Sequence, residues 1–317
     1  MFETQGYMVV REAFDVETAA KCADLVWQEM RAQCGIERDD ASTWPPIKCK
    51  LGVTFRESDG EPWSGLFKQK LLPALREICG EEGVDEGALG CGWWMCTFPR
   101  EPRLGEEWGS EGAWHVDGHD YDHYAFSPEV GLVAIMLFSD IDEGGGGTAL
   151  AGGSHTDALK VLLAHGLDGC RNTALARETL ASKNYSYSYS EVTGKAGDVV
   201  LMHPCLLHAR SANLALPGGW GRVRLMAHPK IRLRRPMDLV NPTTLLERVT
   251  RAAALAGCGS DDERAGLLRA LEAVTPEAVA AHRAQRPAPN TEEEQGDSEL
   301  YESLEGLPKQ FKRSRKH

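Results

Sequence analysis

The segment AWHVDGHDYDHY (113–124) places six residues able to ligate a metal within one short stretch: His115, Asp117, His119, Asp120, Asp122 and His123. Three of the chain's ten histidines lie here. His115 and Asp117 are separated by one residue, and on a strand residues i and i+2 point to one face. An H-x-D pair therefore delivers an imidazole and a carboxylate to the same side with no special turn. A histidine from a distant strand would complete a two-histidine, one-carboxylate facial triad. That set occupies one face of a metal and leaves the other positions open, which suits non-haem Fe(II) oxygenases. His119 shares the face if the strand continues past Gly118, so a His115/Asp117/His119 zinc site is a competing reading. Asp120, Asp122 and His123 are expected in a loop at the pocket mouth, where they could meet a cationic substrate.

The third ligand should come from GDVVLMHPCLLHARSAN (197–213), where a Gly-Asp turn and the strand VVLM lead into two histidines, His203 and His208. Downstream, GRVRLMAHP carries Arg222 and Arg224. An unbroken strand points both to one face, so parity cannot separate them. Either guanidinium could bind a carboxylate bidentately, which a lysine cannot copy.

The elements that must hold these groups change character along the chain. Residues 6–14 suggest a short strand and turn. Asp15 is a candidate N-cap for a helix with Ala19, Cys22, Val26 and Met30 at helical spacing. RDDASTWPPIKCKLG reads as loop, broken by Pro45 and Pro46, and GLFKQKLLPALREICG as a helix ended by Gly80. From about residue 89, GCGWWMCTF, EVGLVAIMLFSDI, GTALAGG, SYSYSEV, GDVVLMH and RVRLMAHPKIRL read as short strands separated by turns. That pattern predicts a mainly β sandwich or jelly roll with flanking helices. Gly144–Gly147 reads as a turn rather than a phosphate cradle, since no Lys-Ser/Thr follows. Ser154 and His155 read as structural, and GWWMC as barrel core. After Pro236 the texture is helical again. The expected divisions are a support region (1–88), a β core (89–236), C-terminal helices (237–284) and a flexible tail (285–317).

Composition removes several function classes. The chain has 317 residues, 42% apolar, with a formal net charge of −12, which argues against nucleic acid or an anionic membrane as partner. The longest apolar run, around VAIMLF, falls far short of the ~20 residues of a membrane helix. The N-terminus has no basic, apolar and small-residue succession of an export signal. Nine cysteines with no C-x-x-C pair predict reduced thiols rather than a disulfide scaffold. A cytoplasmic location is expected; the terminal KQFKRSRKH reads either as a solvated run or as a nuclear or anionic-surface signal.

The ordered set of motifs resembles the phytanoyl-CoA dioxygenase family of Fe(II)/2-oxoglutarate-dependent oxygenases. The resemblance is carried by W-H-V-D-G (114–118), GLVAIMLFSDIDEGGGGTALAGGSH (131–155), the G-D…H-x4-H-A-R-S-A-N run and an arginine on the following strand. It covers 91–236 well and the N-terminal helices loosely. It implies a double-stranded β-helix (jelly-roll, cupin-like) core, with His115, Asp117 and His208 binding Fe(II). His208 is preferred to His203 because H-A-R-S-A-N, including Asn213, matches the family's sequence after the ligand. It implies that Arg224, with Arg222 the fallback, binds 2-oxoglutarate. These arginines lie 16 and 14 residues beyond His208, so LALPGGWG (214–221) reads as a lengthened turn. Arg210 departs from the family, standing where a small or polar residue is usual; it could contact a substrate anion or be solvated. The implied co-substrates are 2-oxoglutarate and O2, with ascorbate as reductant, and the implied partner is a small organic metabolite. Members that halogenate replace the carboxylate ligand by a small residue. Asp117 is present, which favours hydroxylation, desaturation or cyclisation. The alternatives are a metal-binding cupin-like protein without turnover and a zinc hydrolase using the same ligands.

Overall fold

Strand residues alternate between two destinations, and that alternation decides the architecture. In the computed structural model the described residues are 1–285, apart from 47, 52–54, 57–58, 103–105, 113, 120 and 215–221. The expected tail beyond 285, Asp120 and nearly all of the turn 214–221 lie outside them. The chain runs α1 (Phe2–Gln5), β1 (Tyr7–Val10), α2 (Val16–Cys34), β2 (Lys48–Leu51), α3 (Leu71–Cys79), β3 (Trp93–Thr97), β4 (Leu132–Leu137) and β5 (Ala149–Gly152). It continues through α4 (Ser154–His165), α5 (Asn172–Ser182), β6 (Ser188–Glu191), β7 (Val199–Met202), β8 (His208–Ala209), β9 (Arg224–His228), β10 (Lys230–Ile231), α6 (Leu245–Ala254), α7 (Asp261–Ala273) and α8 (Pro276–Arg283).

A seven-stranded antiparallel sheet has the order β1-β7-β4-β9-β3-β2, with β10 also on β4; a smaller sheet has the order β6-β5-β8. Val133, Ile135 and Leu137 of β4, Val200 and Met202 of β7 and Met226 of β9 meet Leu150 of β5 and Val192 between the sheets. Residues of opposite parity, among them Trp94, Cys96, Ala134, Met136, Leu201, Leu225 and Ala227, join a second core shared with the helices. Two faces of one sheet, each buried, give the near-continuous apolar run of β4. The result is a jelly roll wrapped by helices. No helix among the described residues is long and apolar enough to cross a membrane.

Local chemistry explains most boundaries. Asp15 caps α2, its Oδ1 accepting from Thr18 N at 2.7 Å, and Gly35 ends it with φ 67°. Three boundaries differ from the expectations. The stretch read as loop contains β2, an edge strand ordered by pairing with β3 (Cys49 opposite Cys96) rather than by its own propensity. The helix expected from Gly65 starts only at Leu71, because the chain turns so that Leu66 and Phe67 are both fully buried. Residues 154–182, between two strands, form α4 and α5, which pack on each other. Their helical spacing (Ala158, Leu159, Leu162; Leu175, Ala176, Thr179, Leu180) was present in the sequence.

Candidate functional site

The strand β8 brings His208 opposite Leu150 on the inner side of the smaller sheet. Its other edge carries a single bridge to His115. The two histidines exchange both backbone bonds, His115 N to His208 O and His208 N to His115 O, each 3.0 Å. Their rings are consequently neighbours, tilted by 52° with centroids 4.4 Å apart. Asp117 lies on a bend rather than in a continued strand. Its Oδ1 sits 3.9 Å from His115 Nε2 and 3.7 Å from His208 Nε2. One ligand atom from each of the three lies within 4.8 Å of the others.

The ring of His208 is oriented for such a role. Its Nδ1 is 3.1 Å from the Leu206 carbonyl, which can only accept, so Nδ1 carries the hydrogen. Nε2 is then a bare lone pair; it is buried and has no hydrogen-bond partner. Burial works to raise the pKa of Asp117, but the nearby imidazoles, His208 first and then His115 and His228, outweigh it. The carboxyl is held well below the usual carboxylate range. Gly118, at φ 113°, turns the chain where a Cβ would lie 2.5 Å from the Tyr121 hydroxyl.

The other candidates separate cleanly. His119 turns toward α5, its Nδ1 accepting from Asn172 Nδ2 at 2.8 Å, and lies outside the triad of ligand atoms. His203 is buried against α6, with Nε2 3.0 Å from Thr250 Oγ1 and Nδ1 accepting from Cys205 N. His123 donates from Nε2 to Gly118 O at 2.8 Å, and Asp122 pairs with Arg283 at 3.2 Å. Ser154 Oγ accepts from Leu207 N. In the glycine run, the amides of Gly144 and Gly147 are taken by the Glu191 carboxylate, the opposite of a phosphate cradle.

The two arginines occupy different worlds. β9 starts at Arg224, so the unbroken strand that would have aligned Arg222 with it does not exist. Arg222 is 65% exposed and pairs with Asp140 at 3.4 Å and with Asp142. Arg224 is 2% exposed and stands opposite Thr97 of β3. Its Nη1 donates to Gly146 O and its Nη2 to Met95 O at 3.4 Å, while Nε has no partner. Among the described residues no carboxylate forms an ion pair with it. Burial pushes its pKa down to about 10, the mark of a cation short of compensation. The facing Thr97 Oγ1 is likewise buried without a partner.

Two features escaped the sequence reading, and a third residue, Arg210, was singled out there without its partner. His228 shares the face of Arg224 and Met226 through i, i+2, i+4 spacing, which RLMAHP already displays. Burial pushes it down to about 3, so it is neutral, and its ring lies 6.4 Å from that of His208. Asn172 donates to Val116 O as well as to His119, bracing the loop that carries Asp117. Arg210 is part-buried, and its Nε donates to Glu111 Oε2 at 2.7 Å.

The chain matches the profile of one protein family, described as Phytanoyl-CoA dioxygenase (PhyH), over residues 2–215. Among solved structures it is similar to HygX from Streptomyces hygroscopicus with nickel and 2-oxoglutarate bound: 16% identity, 72% of this chain and 82% of that one, TM-score 0.43. It is also similar to the non-heme alpha ketoglutarate dependent carbocyclase SnoK from nogalamycin biosynthesis: 17% identity, 73% and 81% coverage, TM-score 0.43. EctD from S. alaskensis gives 18% identity, 77% and 84% coverage and a TM-score of 0.42. At these values no ligand, substrate or residue role transfers. No curated protein matches the chain.

Proposed function

The chain belongs to the phytanoyl-CoA dioxygenase family, and from that premise we propose how its own residues serve a non-haem Fe(II)/2-oxoglutarate-dependent oxygenase. We assign Fe(II) to His115, Asp117 and His208, and the distal carboxylate of 2-oxoglutarate to Arg224. The observation that carries the assignment is the buried, unpartnered Nε2 of His208, whose other nitrogen is committed to Leu206 O, aimed at the group it forms with His115 and Asp117. A buried polar atom without a partner is costly unless something arrives to satisfy it. The same holds for Arg224 Nε and Thr97 Oγ1, which fit a carboxylate.

The iron, when bound, supplies the oxidising chemistry with O2 while 2-oxoglutarate is decarboxylated to succinate. The chain's own contribution is positional and electrostatic. The Leu206 carbonyl fixes the tautomer and tilt of His208. The ionised Asp117 brings negative charge to the site. His228, kept neutral by burial, adds no competing cation. Arg224 and Thr97 orient a co-substrate along β9, and Met226, Leu150 and Ile135 exclude water from between the sheets. Residues 89–236 form the catalytic unit in this reading, supported by 1–88 and 237–284. Ascorbate is proposed as the reductant, a small organic metabolite as the primary substrate and the cytoplasm as the location. Asp117 favours hydroxylation, desaturation or cyclisation over halogenation.

The test uses two readouts. Anaerobic addition of Fe(II) and 2-oxoglutarate should give a visible charge-transfer absorption; air and ascorbate should then release succinate. His208→Ala should lose both signals and His203→Ala should keep both. The reverse pattern would move the distal ligand to His203, and loss of neither in Asp117→Ala would overturn the assignment.

A further inference from the structure

A second cluster of metal-binding side chains lies outside the oxygenase centre. His165 is the last residue of α4, Cys170 sits in the connector and Glu178 is on α5. One ligand atom from each lies within 4.8 Å of the other two. We propose that His165, Cys170 and Glu178 bind a borderline-soft divalent cation, Zn2+ by preference, at a site that shares no residue with His115, Asp117 and His208.

The donor set selects the ion. One imidazole, one thiolate and one carboxylate are the nitrogen, sulfur and oxygen ligands that Zn2+ takes in four-coordinate sites, whereas Mg2+ and Ca2+ prefer oxygen alone. Cys170 is 3% exposed, while the side chains of His165 and Glu178 are 32% and 40% exposed. The cluster is therefore closed on the thiol side and open to solvent on the other, where water can take the fourth position. Without a metal, His165 Nε2 donates to Glu178 Oε2 at 2.9 Å, and the Cys170 thiol lies 3.6 Å from Arg171 O. Burial, and then the charges of Glu178 and Asp122, push the thiol's pKa up to about 12, so it stays protonated at neutral pH. Binding replaces the thiol proton with the metal and releases that proton to solvent. Ligation through Nε2 would give up its bond to Glu178, with the ring hydrogen on Nδ1.

The position gives such an ion a consequence. Cys170 exchanges both backbone bonds with His123, at 2.8 and 3.2 Å. The next residue, Arg171, donates from Nη2 to His119 O at 2.7 Å, and the one after, Asn172, donates to Val116 O and His119 Nδ1. Three consecutive residues thus hold the loop that carries Asp117. A metal joining α4, the connector and α5 would clamp that strap from behind.

The full-length protein, stripped with a chelator, is titrated with Co2+ and, separately, with Zn2+. Cobalt bound to a thiolate gives a near-ultraviolet sulfur-to-metal charge-transfer band that a two-histidine, one-aspartate site cannot produce. The band is expected in the wild type and in Asp117→Ala, and absent in Cys170→Ser and His165→Ala. Zn2+ should release a proton and raise the Tm of Asp117→Ala but not of Asp117→Ala/Cys170→Ser. Metal-free melts confirm that each variant is folded. No sulfur band in Asp117→Ala, or a band that survives Cys170→Ser, overturns the proposal; the latter would place the thiolate elsewhere.

Discussion

Two regions of the jelly roll are built to different standards. In the larger one, β3 and β9 pair over five residues, from Trp93 opposite His228 to Thr97 opposite Arg224, and β1, β7 and β4 pair over four. The side bearing the proposed metal ligands is held by fragments: β8 has two residues, and His115, Ser110 and Gly145 each join through an isolated bridge. The difference suits the two tasks. The proposed carboxylate anchor must hold a buried guanidinium in place before its partner arrives, so Arg224 in that role would benefit from a long, cooperative register. A metal draws its own ligands together and contributes ordering free energy on binding, so its residues can sit on a loosely paired edge. That edge depends instead on a few side-chain braces, chiefly Asn172 and Arg171.

The comparison breaks most visibly at the ligands themselves. Asp117→Ala should reduce succinate release below detection, while the Tm of the metal-free protein stays close to wild type. A large fall in Tm would mean that the edge is as integral to the fold as the larger sheet. Next comes the anchor. A buried charge deprived of its partner typically costs ~3–5 kcal/mol. At ~1.4 kcal/mol per tenfold, Arg224→Ala should raise the apparent KM for 2-oxoglutarate by roughly a hundredfold or more. Arg224→Lys should recover only part of this. Arg222→Ala, losing an exposed ion pair worth about 0–1 kcal/mol, should change KM by no more than a few-fold. Equal effects of the two arginines would remove the distinction drawn from their burial.

A smaller effect, on stability alone, is expected from the helical support. Glu247 is the N3 residue of the capping box on α6 and is 3% exposed. Burial favours its neutral form, but the amides of Asp238, Thr244 and Thr243 and the Thr243 hydroxyl all donate to it, lowering its pKa from 4.5 to about 2. A depressed folded-state pKa stabilises above the unfolded value, so the contribution is complete above pH 4.5 and lost as pH falls toward 2. Glu247→Gln should cost about 2–3 kcal/mol at pH 7 in urea unfolding, with the two proteins converging as the pH falls through that window. The KM for 2-oxoglutarate should not move; if it does, the helical support and the larger sheet are coupled. The smallest effect sharpens the account of the edge. Asn172→Ala should weaken Fe(II) binding about tenfold, with ~1 kcal/mol lost in stability. Unchanged iron affinity in that variant would mean that the loop orders itself without its brace.

Much of the architecture was legible before any contact was known. Short β-rich segments with Gly turns announced a sandwich or jelly roll, and the Asp15 cap and Gly35 bounded α2 as local chemistry requires. β2 was not legible, because an edge strand in a Pro-broken segment is ordered by its neighbour β3. The helices α4 and α5 were legible in their apolar spacing, but they lie in a stretch dominated by strand and turn signals.

What the sequence determined by itself was which residue types stand at strand-compatible spacing: His115 with Asp117, two candidate histidines near 205 and two arginines near 223. Choosing within those pairs by burial and contact needed the folded chain. Thr250 of α6 and the Cys205 amide occupied the two nitrogens of His203, while the Leu206 carbonyl left Nε2 of His208 bare. The starting point of β9 sent Arg222 to solvent and Arg224 inward. The His165, Cys170 and Glu178 cluster also needed the folded chain, since no spacing rule links those three positions. Local spacing sets the side of a strand on which a group emerges. Burial, tautomer and partner depend on atoms brought together from distant parts of the chain, and only the tertiary structure supplies those.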